Sequence, residues 1–397
     1  MHIIMISPAN RQFIADHLEE NIYRLSLLAQ RFPEVDMDFA IRQIAGKQKA
    51  KYKIPVFFNH PDIEYPSSIS MEQCSSEATA LYKKEICHGK TFADLTGGFG
   101  IDSIFISPHF KNCYFIEKNR SLCDIVSRNI EVLNIHNIKV FHEEATGFLE
   151  RMPPIDFIFL DPARRDEARQ KVISIEQCEP NIIELKPLLL QKASKGILLK
   201  LSPMLDIKAT LRIFPETKAV HVVAVNGECK ELLFLLDRVP HLGEVDFHAV
   251  DIRKSGINRY QFTYHEEQEA IPEIATKLEA YLFEPNAAVL KAGAFKSLAI
   301  HYQLKKLHPH SHLYTSDKEI EDFPGRIFKI VNSFGFGKLE IGQNLQHVTQ
   351  ANVAVRNFPL SAEQLKKKLK LKDGGELYLF ATTVKKEKHL LIRCTKI

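Results

Sequence analysis

Residues 91–102 read Thr-Phe-Ala-Asp-Leu-Thr-Gly-Gly-Phe-Gly-Ile-Asp, an apolar run that passes through three glycines into a helical pattern. Thr91 to Leu95 carry side chains that suit a strand, and Ile101, Ile104 and Phe105 then recur at helical spacing. Without a Cβ, the backbone at Gly97, Gly98 and Gly100 can pass close to a ligand. Asp94, at the end of the strand, can face a cationic group lying over the turn. A carboxylate followed by glycines suits a ligand carrying an ammonium better than one carrying a pyrophosphate.

The chain around this unit alternates strand and helix patterns from Lys90 to about Asp237. Strands are predicted at Phe92–Leu95, Cys113–Glu117, Ile138–His142, Asp156–Leu160, Ile197–Leu201, Val220–Val225 and Leu232–Leu236. Helices suit the intervening segments, as at 120–133 with Asn119 as N-cap and 180–192 with Pro180 in its first turn. Alternation of this kind gives an α/β, Rossmann-like, doubly wound parallel sheet. Only six residues, Asn226 to Glu231, separate the last two strands, too few for a helical crossover. Asn226-Gly227 instead marks an antiparallel hairpin. Five parallel strands closed by a terminal hairpin resemble the class I methyltransferase sheet.

Two acidic strand ends narrow the ligand. Glu117 closes the second strand about twenty residues beyond the glycine turn, where it can accept from ribose hydroxyls. Glu144-Ala145 follow the third strand, and in the class I pattern an acidic residue there lies by an adenine amino group. The spacing Gly98-x-Gly100-x-x-Ser103 departs from the dinucleotide fingerprint at its third glycine. S-adenosylmethionine is therefore the expected cofactor, and a nicotinamide-dependent oxidoreductase is the alternative.

The second motif is Asp156-Phe-Ile-Phe-Leu-Asp161-Pro162-Ala163-Arg164-Arg165, at the end of the fourth strand. It resembles the Asp/Asn-Pro-Pro-aromatic motif of methyltransferases that modify exocyclic amines of nucleobases. There the polar side chain and the following carbonyl take hydrogen bonds from the amine and orient its lone pair. Ala163 replaces the second proline and Arg164 the aromatic. Arg164 or Arg165 can instead stack on a base or hold a phosphate. Lys200 and Ser202-Pro203, at the end of the fifth strand, border the expected target cleft.

Charge divides unevenly along the chain. Residues 281–397 hold 19 Lys+Arg against 10 Asp+Glu, and the remainder 34 against 39. A basic appendage beside a near-neutral domain suits a polyanionic partner such as nucleic acid. The seven cysteines include no Cys-x-x-Cys pair, which fits a reducing cytoplasm rather than a disulfide framework or zinc ribbon. No stretch approaches membrane-spanning length, and no metal is expected. The alternating His308, His310 and His312 are interrupted by Pro309, and Cys178 precedes a helix well ahead of the fifth strand. Neither position suits a metal site or a covalent nucleophile.

Outside the sheet, 1–89 reads as a mostly helical region. Phe13, Leu18, Ile22, Leu25 and Leu28 mark one amphipathic helix, and a second begins near Asp36. Another helix around Ala80–Ile86 is expected to end at Gly89 as its C-cap. In the tail, a helix is predicted over 287–304 and a strand over 326–331. The pattern after Asn352 is strand, helix, strand, strand. Lys366-Lys367-Lys368, with Lys370 and Lys372, can grip phosphates or form a solvated helix face.

Gln73-Cys-Ser-Ser-Glu77, Asp94–Asp102, Asp161–Arg165, Phe283–Phe295 and Glu321–Arg326 together resemble bacterial class I methyltransferases with a C-terminal THUMP-like domain. The resemblance implies a methyltransferase domain over 90–240, a THUMP-like region over 241–335 and a small ferredoxin-like α+β domain over 336–397. It implies that Asp94, Thr96, Gly97, Gly98, Gly100, Glu117, Glu144 and Ala145 hold S-adenosylmethionine. Asp161 and Pro162 would present the acceptor, with Arg164, Arg165 and Lys200 on the substrate. THUMP domains bind RNA, so the expected substrate is RNA. An RNA-binding protein that keeps the fold without catalysis is the second alternative.

Overall fold

The computed structural model describes residues 6–164 and 175–397, so Arg165 and the side chain of Arg164 lie outside the described residues. The chain forms two compact units, Met1–Val220 with Glu231–Gly243, and His221–Lys230 with Glu244–Ile397.

Seven strands build the sheet of the first unit: β1 Thr91–Asp94, β2 Asn112–Glu117, β3 Ile138–His142, β4 Ile155–Leu160, β5 Ala193–Leu201, β6 Thr217–Val225 and β7 Glu228–Leu236. Their order is β3-β2-β1-β4-β5-β7-β6. β1 pairs in parallel with β2 and β4, β2 with β3, and β4 with β5. β7 then runs antiparallel to β5, with Lys200 opposite Leu233. Asn226 and Gly227 take φ of 52° and 81°, the left-handed pair that a two-residue hairpin turn requires. This is the doubly wound sheet with terminal hairpin expected from the alternation. The hairpin's base belongs to the first unit and its tip to the second.

Near the N-terminus the structure has two helices, Pro8–Asp16 and Ile22–Ser26, where one was expected. The Asn21 side chain accepts from Tyr23 N and starts the second, and Gln48 Nε2 donates to Leu18 O and Glu20 O across the break. Phe13 and Leu25 still meet in one core with Met37, Ala40 and Ile44. The helix Glu77–Ile86 ends at Cys87, before Gly89. Gly89 is needed for close approach instead, because a Cβ there would lie 2.8 Å from Asp156 Cβ.

The second unit holds β8 Asp246–Arg253, β9 Gly256–Thr263, β10 Tyr281–Pro285, β11 Lys305–Lys306, β12 Tyr314–Ser316, β13 Gly325–Gly335, β14 Asn352–Arg356, β15 Leu377–Val384 and β16 Lys388–Lys396. β8 and β9 form an antiparallel pair that continues the strand order beyond β6. The last seven make a sheet ordered β11-β12-β10-β13-β16-β15-β14, in which β14 and β15 are parallel. One apolar cluster gathers Leu282, Leu307, Leu313, Phe328, Phe380 and Ile392, and another Phe334, Leu345, Leu365, Leu379 and Leu391. The expected helix over 287–304 is broken into Ala287–Ala292 and Ser297–His301. Gly293 at φ 83° ends the first piece. Among the described residues, no helix is long and apolar enough to cross a membrane.

Candidate active site

The three glycines of the turn after β1 answer to different constraints. A Cβ on Gly97 would fall 2.3 Å from the Phe115 ring, so this position is set by packing against β2. Gly98 and Gly100 take φ of 56° and 78°. A Cβ on Gly98 would meet nothing closer than Thr96 O at 3.9 Å. The backbone at Gly98 therefore borders open space, where a ligand can approach. Gly100 opens the helix Ile101–Ile106, and a Cβ there would fall 3.1 Å from the Val126 methyls.

Asp94 is buried, and both its oxygens turn inward. Oδ1 accepts from Thr96 N at 3.0 Å, and Oδ2 from Ser103 Oγ at 2.6 Å. Burial pushes its carboxyl up to about 7, against the pull of those two donors. Ser103, which breaks the dinucleotide spacing, thus has a structural partner in Asp94. Glu117, at the end of β2, reaches back over the turn. Its Oε2 accepts from Gly98 N at 2.8 Å and its Oε1 from Asn119 N at 2.7 Å. Glu144 is exposed and caps the helix Ala145–Arg151 by position, while Ala145 is buried.

Asp161 follows β4. Its backbone N–H donates to Thr96 Oγ1 at 2.6 Å, which ties the Asp161-Pro162 motif directly to the glycine turn. Its carboxylate accepts from Lys200 Nζ at 2.5 Å, with about a third (35%) of the Asp161 side chain still accessible. Lys200 comes from β5 and is nearly enclosed. Burial alone would lower its ammonium, yet Asp161, Glu231 and Asp102 more than compensate and hold it well above its usual range. Burial raises the Asp161 carboxyl, and the Lys200 ammonium opposes that rise.

Beneath this pair lies a buried network that composition and motif spacing do not reveal. Lys83, fully buried, sits 2.6 Å from Glu231 Oε2 and 3.1 Å from Asp102 Oδ1. Ser75 Oγ donates to Asp102 Oδ2 at 2.6 Å and accepts from Lys200 Nζ at 3.1 Å and Lys83 Nζ at 3.3 Å. Burial pushes Asp102 up, but Lys83 and then Lys200 outweigh it and leave it below the ordinary carboxylate range. Three carboxylates meet two ammoniums, a formal excess of one negative charge. From the sequence Glu231 reads as a hairpin residue, yet it is 3% exposed. Lys83 carried a usable signal: with Thr79 and Ala80 it occupies the buried face of its helix.

The other sequence candidates lie elsewhere. Cys178 is buried in a two-residue strand paired with Ala163–Arg164. His308 Nε2 contacts Glu387 Oε1 at 2.8 Å, and His312 stacks on Phe295. In the lysine run, Lys366 bonds Asp373 at 2.7 Å and Lys368 lies 4.6 Å over the Phe336 ring.

Comparison with known proteins agrees with this architecture. Residues 78–199 match the family described as conserved hypothetical protein 95, 281–324 a ferredoxin-like domain and 325–396 a THUMP domain-like family. No curated protein matches. A crystal structure described as a putative methyltransferase from Porphyromonas gingivalis W83 superposes with a TM-score of 0.86 at 32% identity, covering 99% of this chain and 100% of that one. An rRNA methylase from Streptococcus thermophilus matches 40% of this chain and 93% of its own, at 13% identity and a TM-score of 0.31. A putative methyltransferase from Streptococcus mutans in complex with SAH matches 38% of this chain and 89% of its own, at 14% identity and a TM-score of 0.26. With a relative of 32% identity matched over 99% of this chain and a THUMP domain-like match in the tail, the chain belongs to the family of the Porphyromonas gingivalis protein, the bacterial class I methyltransferases with a C-terminal THUMP-like domain.

Proposed function

We propose that the protein is an S-adenosylmethionine-dependent methyltransferase that modifies an exocyclic amine of an RNA base. The reading rests on one observation above the rest: Asp161 is bound through its N–H to Thr96 of the glycine turn and through its carboxylate to Lys200. Acceptor motif and cofactor turn are thereby held in register, and positioning is most of what an in-line methyl transfer needs.

The open side of Gly98 and the Glu117 carboxylate beside it fit a nucleoside ligand, with Asp94, Thr96, Gly97, Gly100, Glu144 and Ala145 completing the surround. Bound there, S-adenosylmethionine supplies an electrophilic methyl group and keeps the electron pair of the broken C–S bond. Asp161 accepts a hydrogen bond from the amine, and the Pro162 carbonyl can take the second. The nitrogen lone pair, so aimed, forms the new N–C bond. The amine then sheds a proton, for which Asp161 is the adjacent carboxylate, while Lys200 stays a cation. The basic charge of 281–397 and the THUMP-like match over 325–396 favour RNA as the substrate. Lys200 borders the acceptor side.

Thermal-shift titration should show stabilisation by S-adenosylhomocysteine and none by NAD. Stabilisation by NAD alone would overturn the cofactor assignment. Nucleoside mass spectrometry of RNA from cells with and without the gene should show one methylated nucleoside disappear. An unchanged RNA pool would instead favour a binding-only protein.

A further inference from the structure

The stretches 283–295 and 321–326 take no part in the site of the first unit, yet within the second unit they converge. Glu284 on β10 and Arg326 on β13 are direct cross-strand neighbours. Arg326 Nε donates to Glu284 Oε2 at 2.8 Å, and its Nη2 reaches the same oxygen. Arg356, the last residue of β14, places Nη2 2.9 Å from Glu284 Oε1. Glu284 is buried, whereas about two fifths of each arginine side chain (40% and 38%) is open to solvent. The Arg326 guanidinium also lies over the Phe328 ring at 5.4 Å and near the Tyr378 ring at 6.0 Å. One carboxylate thus pairs with two planar forks, Arg326 by hydrogen bonds and Arg356 as an ion pair, and neutralises only one of them.

Among the described residues, Glu284 is the one carboxylate paired with either guanidinium. His312, at φ 50°, stacks on Phe295 with ring centroids 3.7 Å apart, and its buried Nδ1 has no hydrogen-bond partner. The buried Nε of Arg356 has none either. Burial first, then Lys306, His310 and Arg356, push the His312 imidazole down to about 4. Of these causes burial favours no charge of either sign, whereas the neighbouring Lys306 and Arg356 favour an anion. A merely structural ion pair would need one arginine; the second, half-open and pre-oriented, is what bidentate recognition of a phosphate uses.

We propose that Arg326 and Arg356, held by Glu284, form a phosphate-binding fork that grips the backbone of an RNA strand. The proposal rests on the preceding functional reading only in taking RNA as the source of the phosphate.

The test uses the full chain without methyl donor, so that it reads binding and not transfer. Fluorescence anisotropy would follow single-stranded oligoribonucleotides bearing either a 5′-hydroxyl or a 5′-phosphate, across a salt series and with inorganic phosphate as competitor. Arg356→Gln, at the end of an edge strand, should weaken binding about tenfold. It should also flatten the slope of log affinity against log salt by about 0.7 for the lost phosphate contact. Arg326→Gln should do the same, and Arg356→Lys should restore part of the affinity but not the bidentate geometry. Inorganic phosphate should compete with RNA on the wild type and much less on the variants. Equal binding of both oligonucleotides assigns an internal phosphodiester; binding of the 5′-phosphate form alone assigns a terminal phosphate. Unchanged affinity and slope in Arg356→Gln at an unchanged melting temperature would overturn the proposal, as would the absence of RNA binding by the wild type.

Discussion

Asp94 is a residue whose stability role and proposed ligand role pull in opposite directions. Its carboxyl titrates near 7 in the folded protein against 3.8 in its ordinary state. The folded state therefore holds this proton more tightly than the unfolded chain, and the stability it contributes at low pH is lost as pH rises from about 4 through 7. The full span amounts to ~4 kcal/mol. Asp94→Asn keeps an acceptor for Thr96 N and removes the charge, so chemical denaturation at pH 8 should show it more stable than the wild type. If Asp94 faces the cofactor's cationic portion, calorimetry should show weaker S-adenosylhomocysteine binding in the same variant. Lys83 belongs to the opposite class. Lys83→Met strands Glu231 and Asp102 as buried charges, and urea denaturation should report a loss of ~3–5 kcal/mol. Lys200→Met should leave cofactor affinity largely intact while methyl transfer falls, since Asp161 loses the partner that fixes it.

At the scale of elements, the glycines of the turn after β1 divide between packed and open positions. Gly97→Ala drives a methyl into Phe115, and Gly100→Ala combines a positive φ with contact on Val126. Both should lower the melting temperature. Gly98→Ala faces open space and carries only the ~1 kcal/mol conformational cost of its φ. It should fold nearly as well as the wild type, yet lose affinity for S-adenosylhomocysteine by calorimetry, because the added methyl projects where a ligand would lie. The strands β1, β4 and β5 were legible as short apolar runs because most of their residues are buried on both faces. Helix breaks were less so. Asn21 and Gly293 lie inside runs whose apolar spacing continues past them, and only the Gln48 bonds and the φ of Gly293 show where the backbone turns.

At the scale of the molecule, the hairpin β6–β7 is shared between the two units. Asn226 N donates to Ile252 O at 2.9 Å, and Gly227 N to Asp251 Oδ1 at 3.0 Å. A fragment ending at Gly243 keeps the hairpin but loses those partners and leaves β6 as an open edge. Calorimetry should show it melting below the intact chain, with a greater tendency to aggregate. The alternation of strands and helices, the glycine turn, the Asn-Gly hairpin and the Asp161-Pro162 motif were all readable by themselves, because each depends on residues close together along the chain. The buried network was not. Ser75, Lys83, Asp102, Lys200 and Glu231 come from a loop, two helices and two strands, and nothing local distinguishes Glu231 from the exposed Glu228. Glu284, Arg326 and Arg356 likewise meet only once β10, β13 and β14 are folded together. Local physics determined the sheet and the position of its glycine turn, whereas only tertiary folding decided which charges are buried and therefore must be paired.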